Sequence, residues 1–162
     1  MASPEQNIQT SLGLLTQFRN ILEDDYSYIE QHFSPDHVWH DPAAPDLPQN
    51  IEGVKQFMKQ YAVAFPDLQI IVNQVFAADD KVVSQWTSAG TNTGPFGGGP
   101  ATGKAIRVEG MTIDRYDDQG MQVESWNVWD TLGFMQQLGL ISTADKGAQQ
   151  PASAAEEQPG IH

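Results

Sequence analysis

The stretch VESWNVWDTLGFMQQLG, at Val123–Gly139, changes its hydrophobic period at Thr131. Before Thr131 the side chains alternate between two faces, as they do in a β-strand. One face carries Glu124, Trp126, Val128 and Asp130, and the other carries Val123, Ser125, Asn127 and Trp129. After Thr131 the apolar residues recur at helical spacing, and a glycine ends the run. The stretch therefore predicts a strand that leads directly into a helix, with Asp130 at the junction.

Two roles suit Asp130 at this junction. A carboxylate held among apolar groups has its charged form disfavoured, which raises its pKa and suits it to acid/base catalysis near neutral pH. Aromatic residues flank Asp130 in the sequence and would supply such surroundings. An aspartate directly before a helix is also a favoured N-cap, which accepts backbone N–H bonds and needs no chemistry. The local sequence leaves both roles open.

The composition limits the classes of partner. The chain has 162 residues, enough for one domain with a core and too few for two. Its formal net charge of -13 disfavours binding to nucleic acid and to anionic membranes. The absence of cysteine excludes disulfides, thiolate metal sites and a cysteine nucleophile. No apolar run reaches membrane-spanning length, and the N-terminus lacks the features of a signal peptide. We therefore expect a cytoplasmic protein whose partner is an apolar small molecule or another protein.

The order of the predicted elements indicates an α+β fold. Helices are expected at 7–23, 26–33, 51–64 and after 130, and strands at 38–40, 68–76, 82–91, 105–116 and 121–129. The four long strands are joined mostly by tight turns, as in an antiparallel meander. We expect the three N-terminal helices to cover the concave face of a curved sheet, which leaves a conical cavity, with a short helix at the C-terminal end.

The domain is expected to span residues 7–141. Residues 1–6 are predicted to be a loose N-terminus. Residues 142–162 are rich in Ala, Gln, Pro and Glu and have almost nothing to bury, so they are predicted to be a disordered tail.

His40 lies on the short early strand and is a candidate pocket residue. It would act there as a hydrogen-bond partner or proton carrier, although a histidine bonded to the following loop is the plainer interpretation. His32 and His37 are expected at the surface. The three histidines fall on different elements and no converging carboxylate accompanies them, so we predict no metal site.

Five short motifs together resemble the SnoaL-like polyketide cyclases, also called ester cyclases. The motifs are HDP (His40–Pro42), AFPDL (Ala64–Leu68), GTNTGPF (Gly90–Phe96), PATGK (Pro100–Lys104) and ESWNVWDTLGFMQQLG (Glu124–Gly139). Each motif is weak by itself, and their order and joint presence carry the resemblance. It spans about Leu14 to Gly139, nearly the whole domain.

The resemblance implies a fold, a reaction and a set of residues. The fold is the cone-shaped α+β barrel of nuclear transport factor two, which forms dimers or tetramers through its open sheet. The reaction is an intramolecular aldol condensation that closes a ring of a polyketide, without metal or cofactor. The catalytic acid/base carboxylate of the family matches Asp130, and His40 matches a pocket position.

The remaining candidate residues follow from the needs of that reaction. An enolate oxygen needs hydrogen-bond donors, for which His40, Asn92 and Tyr116 are available. A polycyclic ligand needs flat apolar walls and a polar edge. The walls are predicted to be Trp39, Trp86, Phe96 and Trp126, and Glu124 is a further candidate for contact with substrate. The sequence departs from the family at Asn92, where histidine is common, and at Gln85, where arginine is common.

Two other functions stay open. A hydrolase or isomerase of the same fold, like limonene epoxide hydrolase, would need a second carboxylate in the cavity, for which Glu124 and Asp114 are candidates. A binding module without catalysis would use the aromatic cavity for a small ligand or the sheet for a partner.

Overall fold

The computed structural model describes residues 2–142, which contain five helices and five strands. In chain order these are α1 (Pro4–Leu15), α2 (Phe18–Leu22), α3 (Ser27–His32), β1 (Phe33–His40), α4 (Ile51–Ala64), β2 (Gln69–Ala78), β3 (Lys81–Thr91), β4 (Ala105–Tyr116), β5 (Gln122–Trp129) and α5 (Thr131–Gln137). None of these helices is long and apolar enough to cross a membrane.

The N-terminal helix begins earlier than the hydrophobic pattern predicts. Ser3 and Gln6 form a capping box, and Pro4 occupies the first helical turn, so α1 begins at Pro4 and residues 4–6 are helical. The predicted helix at 7–23 is divided, because α1 ends at Leu15 and α2 begins only at Phe18. The predicted tail lies outside the described residues from position 143 onwards.

The sheet has the order β1-β5-β4-β3-β2. Strands β2 to β5 pair antiparallel in sequence, as predicted, and β1 pairs parallel with β5. The predicted strand at 38–40 is longer than expected, because pairing of Phe33 with Gln122 extends it to the end of α3. The α+β prediction is confirmed, with a curved sheet that stays open between β1 and β2.

The helices pack on one face of this sheet. Helix α1 contacts β2 and β3, α4 contacts β1, and α5 contacts β4. One apolar cluster joins α2, α3, β1 and α4, and includes Ile21, Phe33 and Met58. A second joins the end of α4 with β4 and α5 through Phe65 and Phe134. We call the covered side the inner face of the sheet and the other side the outer face.

Candidate active site

A cavity of about 120 Å³ lies between the helices and the inner face of the sheet. Its walls are mostly apolar and include nine aromatic side chains: Phe18, Phe33, Trp39, Phe57, Tyr61, Phe65, Trp86, Trp129 and Phe134. The polar side chains that reach it come from α1 and from the last three strands: Ser11, Ser84, Ser88, Thr112, Asp114, Gln122, Ser125 and Asn127. Such a mixture of apolar walls and few polar groups is typical of a small-molecule site.

Strand alternation decides which side chains of β4 and β5 face the cavity. On β4 the inward positions include Thr112 and Asp114, and on β5 they include Asn127. A register shift between Arg115 and Tyr116 breaks the alternation, and Gln122 thereby joins the cavity wall.

Asp114 is the buried carboxyl group of the cavity. Its side chain is 4% exposed, Ser11 Oγ donates to its Oδ2 at 2.7 Å, and Gln122 Nε2 donates to its Oδ1 at 3.1 Å. Burial raises the pKa of Asp114 to about 6, and the Ser11 hydrogen bond opposes part of that rise. The group can therefore take up and release a proton close to neutral pH.

The hydroxyls beside Asp114 can follow a change in its protonation. Ser11 Oγ lies 2.6 Å from the Tyr116 hydroxyl, which also donates to Gln122 Oε1 at 3.2 Å. Ser11 donates to the ionised carboxylate, and it can accept from the neutral acid because its own proton can turn to Tyr116. The network thus satisfies both states of Asp114.

A second buried carboxyl group, Asp41, follows the end of β1. Its Oδ1 accepts from the Ala43 N–H at 2.8 Å and its Oδ2 accepts from Asn127 Nδ2 at 2.7 Å. Burial raises the pKa of Asp41, against the lowering effect of these hydrogen bonds. Sequence analysis did not single out Asp41, since the HDP motif drew attention to its neighbour His40.

Asn127 belongs to a chain of hydrogen bonds that ends on Asp41. Trp86 Nε1 donates to Thr112 Oγ1 at 2.9 Å, and Thr112 Oγ1 donates to Asn127 Oδ1 at 2.9 Å. Asn127 then donates to Asp41. Each group in this chain donates to the next one in the direction of Asp41, so the Asn127 amide and the Asp41 carboxyl are held in one orientation.

The structure brings only part of the predicted site together. Trp39 and Trp86 line the cavity, and Tyr116 reaches Asp114 through Ser11. Asn92 is fully buried in a loop instead, where it donates to Ala64 O and Gly94 O and accepts from Thr102.

Phe96 belongs to the packing around α5. Its ring lies 5.3 Å from that of Tyr61 and 5.4 Å from that of Phe134. It therefore supports the cavity wall through Tyr61 and does not itself form the wall.

Three other predicted residues lie together on the outer face. His40 Nε2 is 2.8 Å from Glu124 Oε2, and the His40 ring stacks on Trp126 with centroids 5.3 Å apart. Arg115 Nη2 approaches the other oxygen of Glu124 at 3.1 Å. The hydrogen bond from His40 and then that from Arg115 lower the pKa of Glu124, although the group loses some hydration. The structure does not bring His40, Glu124 and Trp126 into the cavity, because they occupy outward positions of β1 and β5.

Asp130 is the N-cap of α5. Its side chain is exposed and its Oδ1 accepts from the Gly133 N–H at 2.9 Å. Gly133 suits this cap because a Cβ at that position would collide with the Asp130 carboxylate. Asp130 is absent from the cavity wall. Its geometry is that of the capping role, and its acid/base role stays a prediction.

His37 is buried, contrary to its predicted surface position. Its Nε2 lies 3.2 Å from Ser125 Oγ, its ring packs on Phe33, and burial lowers its pKa to about 4. The reason is that burial alternates along β1 from His37 onwards, so His37 shares the inner face with Trp39 while His40 does not.

These features define a class of protein: an α+β fold with a small-molecule cavity between its helices and a curved sheet. The family model of the SnoaL-like polyketide cyclases matches residues 13–138. The chain belongs to this family, which confirms the resemblance. No curated protein sequence matches the chain significantly.

Several solved structures are similar to the chain. TsrD from Streptomyces laurentii has a TM-score of 0.74 and 23% identity, and the match covers 87% of this chain and 100% of TsrD. AclR from Streptomyces galilaeus, described as a candidate hydroxylase, has a TM-score of 0.72 and 27% identity, with 86% of this chain and 99% of AclR covered. IdmH from Streptomyces antibioticus, described as a candidate polyketide cyclase, has a TM-score of 0.70 and 27% identity. The match covers 83% of this chain and 99% of IdmH.

Proposed function

We propose that this protein is a cofactor-free, cyclase-like enzyme that closes a ring by an intramolecular aldol reaction. Asp114 takes the acid/base role that the sequence first suggested for Asp130. One observation carries the proposal: among the described residues, Asp114 supplies the one carboxyl group that lines the cavity, and burial raises its pKa to about 6.

The proposed reaction begins with a proton transfer to Asp114. At neutral pH most Asp114 is ionised, and its raised pKa makes it a better base than an ordinary aspartate. It removes a proton from a carbon between two carbonyl groups, and the resulting enolate carbon attacks a ketone carbon of the same molecule. A C–C bond forms, and the ketone oxygen takes the proton back from Asp114, so the carboxylate is regenerated.

The walls of the cavity support an apolar or aromatic substrate. Trp39 and Trp86 present flat surfaces, and few polar groups are available to hold a strongly charged ligand. One similar structure, IdmH, is described as a candidate polyketide cyclase, which supports a ring-closing reaction without specifying its mechanism.

A hydrolase or isomerase is the second candidate function. Asp41 favours it, because it supplies a second buried carboxyl group held against a cavity residue, Asn127. A hydrolase would use one carboxylate to activate water and the other as an acid, and an isomerase would use the two to remove and return a proton. A non-catalytic binding module would need neither group to titrate.

Deuterium exchange tests the proposed base directly. The probe is methyl acetoacetate in D2O, and proton NMR follows loss of its methylene signal relative to buffer. We expect Asp114→Asn to lower the protein-dependent exchange rate by about 10²- to 10⁴-fold, which is the usual contribution of a general base.

Two matched carboxyl-to-amide variants serve as controls. Asp130→Asn and Glu124→Gln should keep the exchange rate, because neither carboxylate lies in the cavity wall. Exchange that survives in Asp114→Asn, or that disappears in Asp130→Asn, would contradict the assignment. So would a wild-type protein that does not accelerate exchange at all.

We also propose that the protein forms a homo-oligomer through the outer face of its sheet. Met111 pairs with Val128 there, and these side chains are 48% and 59% exposed, next to the half-exposed Ile113. A contiguous apolar surface of this kind is typical of a protein interface. Cytoplasmic location stays a prediction.

Sedimentation velocity tests this interface. Val128→Lys should shift the protein to the monomer, whereas Leu132→Lys, at an equally exposed leucine on α5, should not. A wild-type monomer, or an unchanged oligomer of Val128→Lys, would refute it.

A further inference from the structure

The indole N–H of Trp129 is a buried donor without a hydrogen-bond partner within residues 2–142. The Trp129 ring nevertheless lines the cavity. The other inward-facing tryptophan of the last strands, Trp86, donates its N–H to Thr112. Because a buried donor without a partner costs free energy, most such groups are paired with protein, water or ligand.

Two polar groups stand beside this donor. The Trp129 N–H is close enough to Asp41 to lower the pKa of that carboxyl group, although it makes no hydrogen bond of normal geometry. The Tyr61 ring meets Trp129 edge to face, with centroids 5.7 Å apart, and the charge of Asp41 contributes to a raised pKa of Tyr61 after burial. Trp129 and Tyr61 therefore line one part of the cavity, and Asp41 lies close to both of them.

Hydrogen bonds from neighbouring residues hold the Asp41 carboxyl group in place. Asn127 donates to Asp41 and is itself held by Thr112, and the Ala43 N–H holds the second oxygen of Asp41. A preorganised set of polar groups can bind a ligand oxygen without a large cost of rearrangement.

The group is separate from Asp114. In the sheet register Trp129 pairs with Gly110, whereas Asp114 pairs with Ser125. Four residues of β4 separate the two positions, which corresponds to roughly 13 Å along a strand. The two groups thus lie at different positions along the strands that form the cavity wall.

We propose that Trp129, Asp41 and Tyr61 form an oxygen-binding subsite that takes a carbonyl or enol oxygen of the ligand. The Trp129 indole N–H is its principal donor, and the Tyr61 hydroxyl and the Asp41 carboxyl are the neighbouring polar groups. The subsite rests on the proposed function only in taking the cavity as the substrate site. It adds a requirement that the substrate carry an oxygen at a distance from the carbon that Asp114 deprotonates.

Phenol and toluene form a matched pair of probes for this subsite. They have nearly the same shape, and phenol adds a hydroxyl that resembles an enol. Titrations are followed on the indole signals of the four tryptophans in proton–nitrogen NMR spectra, with Trp129→Phe used to assign the Trp129 signal. The Trp126 signal, from the outer face, is the internal control.

We expect phenol to move the Trp129 indole proton downfield relative to toluene and to leave Trp126 unmoved. Trp129→Phe keeps the aromatic packing and removes the donor, so it should weaken phenol binding roughly two- to tenfold and leave toluene binding unchanged. Equal effects of phenol and toluene on Trp129, or no saturable binding of phenol, would overturn the subsite. If Trp129→Phe does not fold, the wild-type comparison of the two probes still decides.

The same titration in Asp114→Asn separates this inference from the proposed function. A phenol-specific shift of Trp129 with exchange retained in Asp114→Asn would keep the subsite and reject the base. Loss of exchange in Asp114→Asn without a phenol-specific shift would keep the base and reject the subsite.

Discussion

The inner and outer faces of β4 and β5 carry similar side chains and behave in opposite ways. On the inner face Asp114 lies among aromatic walls, and burial raises its pKa to about 6. On the outer face Glu124 lies beside Trp126 and His40, and hydrogen bonds from His40 and Arg115 lower its pKa. The presence of a neighbouring tryptophan therefore does not by itself decide the chemistry of a carboxyl group.

The difference lies in what surrounds each group in three dimensions. Asp114 is covered by α1, and its partners Ser11 and Gln122 are neutral, so desolvation dominates. Glu124 accepts hydrogen bonds from His40 and Arg115 and has access to solvent, so hydrogen bonding to its charged form dominates. Carboxyl-to-amide substitutions at the two positions should accordingly change stability in opposite directions.

The largest expected effect is a gain in stability from Asp114→Asn. The unfolded carboxyl has a pKa near 3.8 and the folded one a pKa of about 6, so ionising Asp114 opposes folding. The contribution of Asp114 to wild-type stability should fall as pH rises from about 4 to about 6, and the variant should lack that loss. The variant should be more stable by about 1–3 kcal/mol above pH 6 and equal to wild type below pH 4.

Urea unfolding of both proteins across this pH range measures the difference. His37 has the opposite sign in an overlapping range, because its pKa is lowered to about 4, but it is present in both proteins and cancels. A variant that is less stable than wild type at pH 7 would show that ionised Asp114 is favoured in the fold.

A smaller effect is expected at Asp130. Asp130→Ala removes the side chain that caps α5 and should lower the free energy of unfolding by about 1 kcal/mol. Asp130→Asn keeps a good cap and should be nearly neutral. Thermal unfolding distinguishes the two variants, and equal losses in both would mean that the carboxylate charge matters more than the cap.

The smallest effect is expected from Glu124→Gln. The loss of a partly exposed ion pair should cost about 0.2–1 kcal/mol at neutral pH and less at high salt. Since the folded pKa of Glu124 is lowered, this difference should vanish as acid protonates the carboxylate in wild type. A salt-independent loss would indicate that packing on Trp126 or Arg115, and not charge, is the cause.

Much of the fold could be predicted because its signals are local. Asn50 predicts the start of α4, the β-rich runs predict the meander, and the junction at Thr131 predicts β5 followed by α5. The short motifs were sufficient to predict the family as well. The strand alternation of β5 also separated its two faces correctly, with Asn127 opposite Trp126.

The choice between those faces could not be made from the sequence. Each face carries a tryptophan, and the outer face stays apolar at Val128 and Met111, so hydrophobicity does not mark the inside. The parallel pairing of β1 with β5 fixes where His40 points, and this pairing is a long-range feature. The hydrogen bond between Ser11 and Asp114 joins residues 103 positions apart in the sequence. The register shift that turns Gln122 toward the cavity has no clear signal in the sequence.

The most direct test of the account is the titration of Asp114 by carboxyl-carbon NMR, with Asp114→Asn used to assign the signal. We expect an apparent pKa near 6, because burial outweighs the hydrogen bond from Ser11. A value at or below the ordinary aspartate value of about 3.9 would mean that Asp114 is well solvated or strongly paired in solution, which would contradict its role as the acid/base group of the cavity.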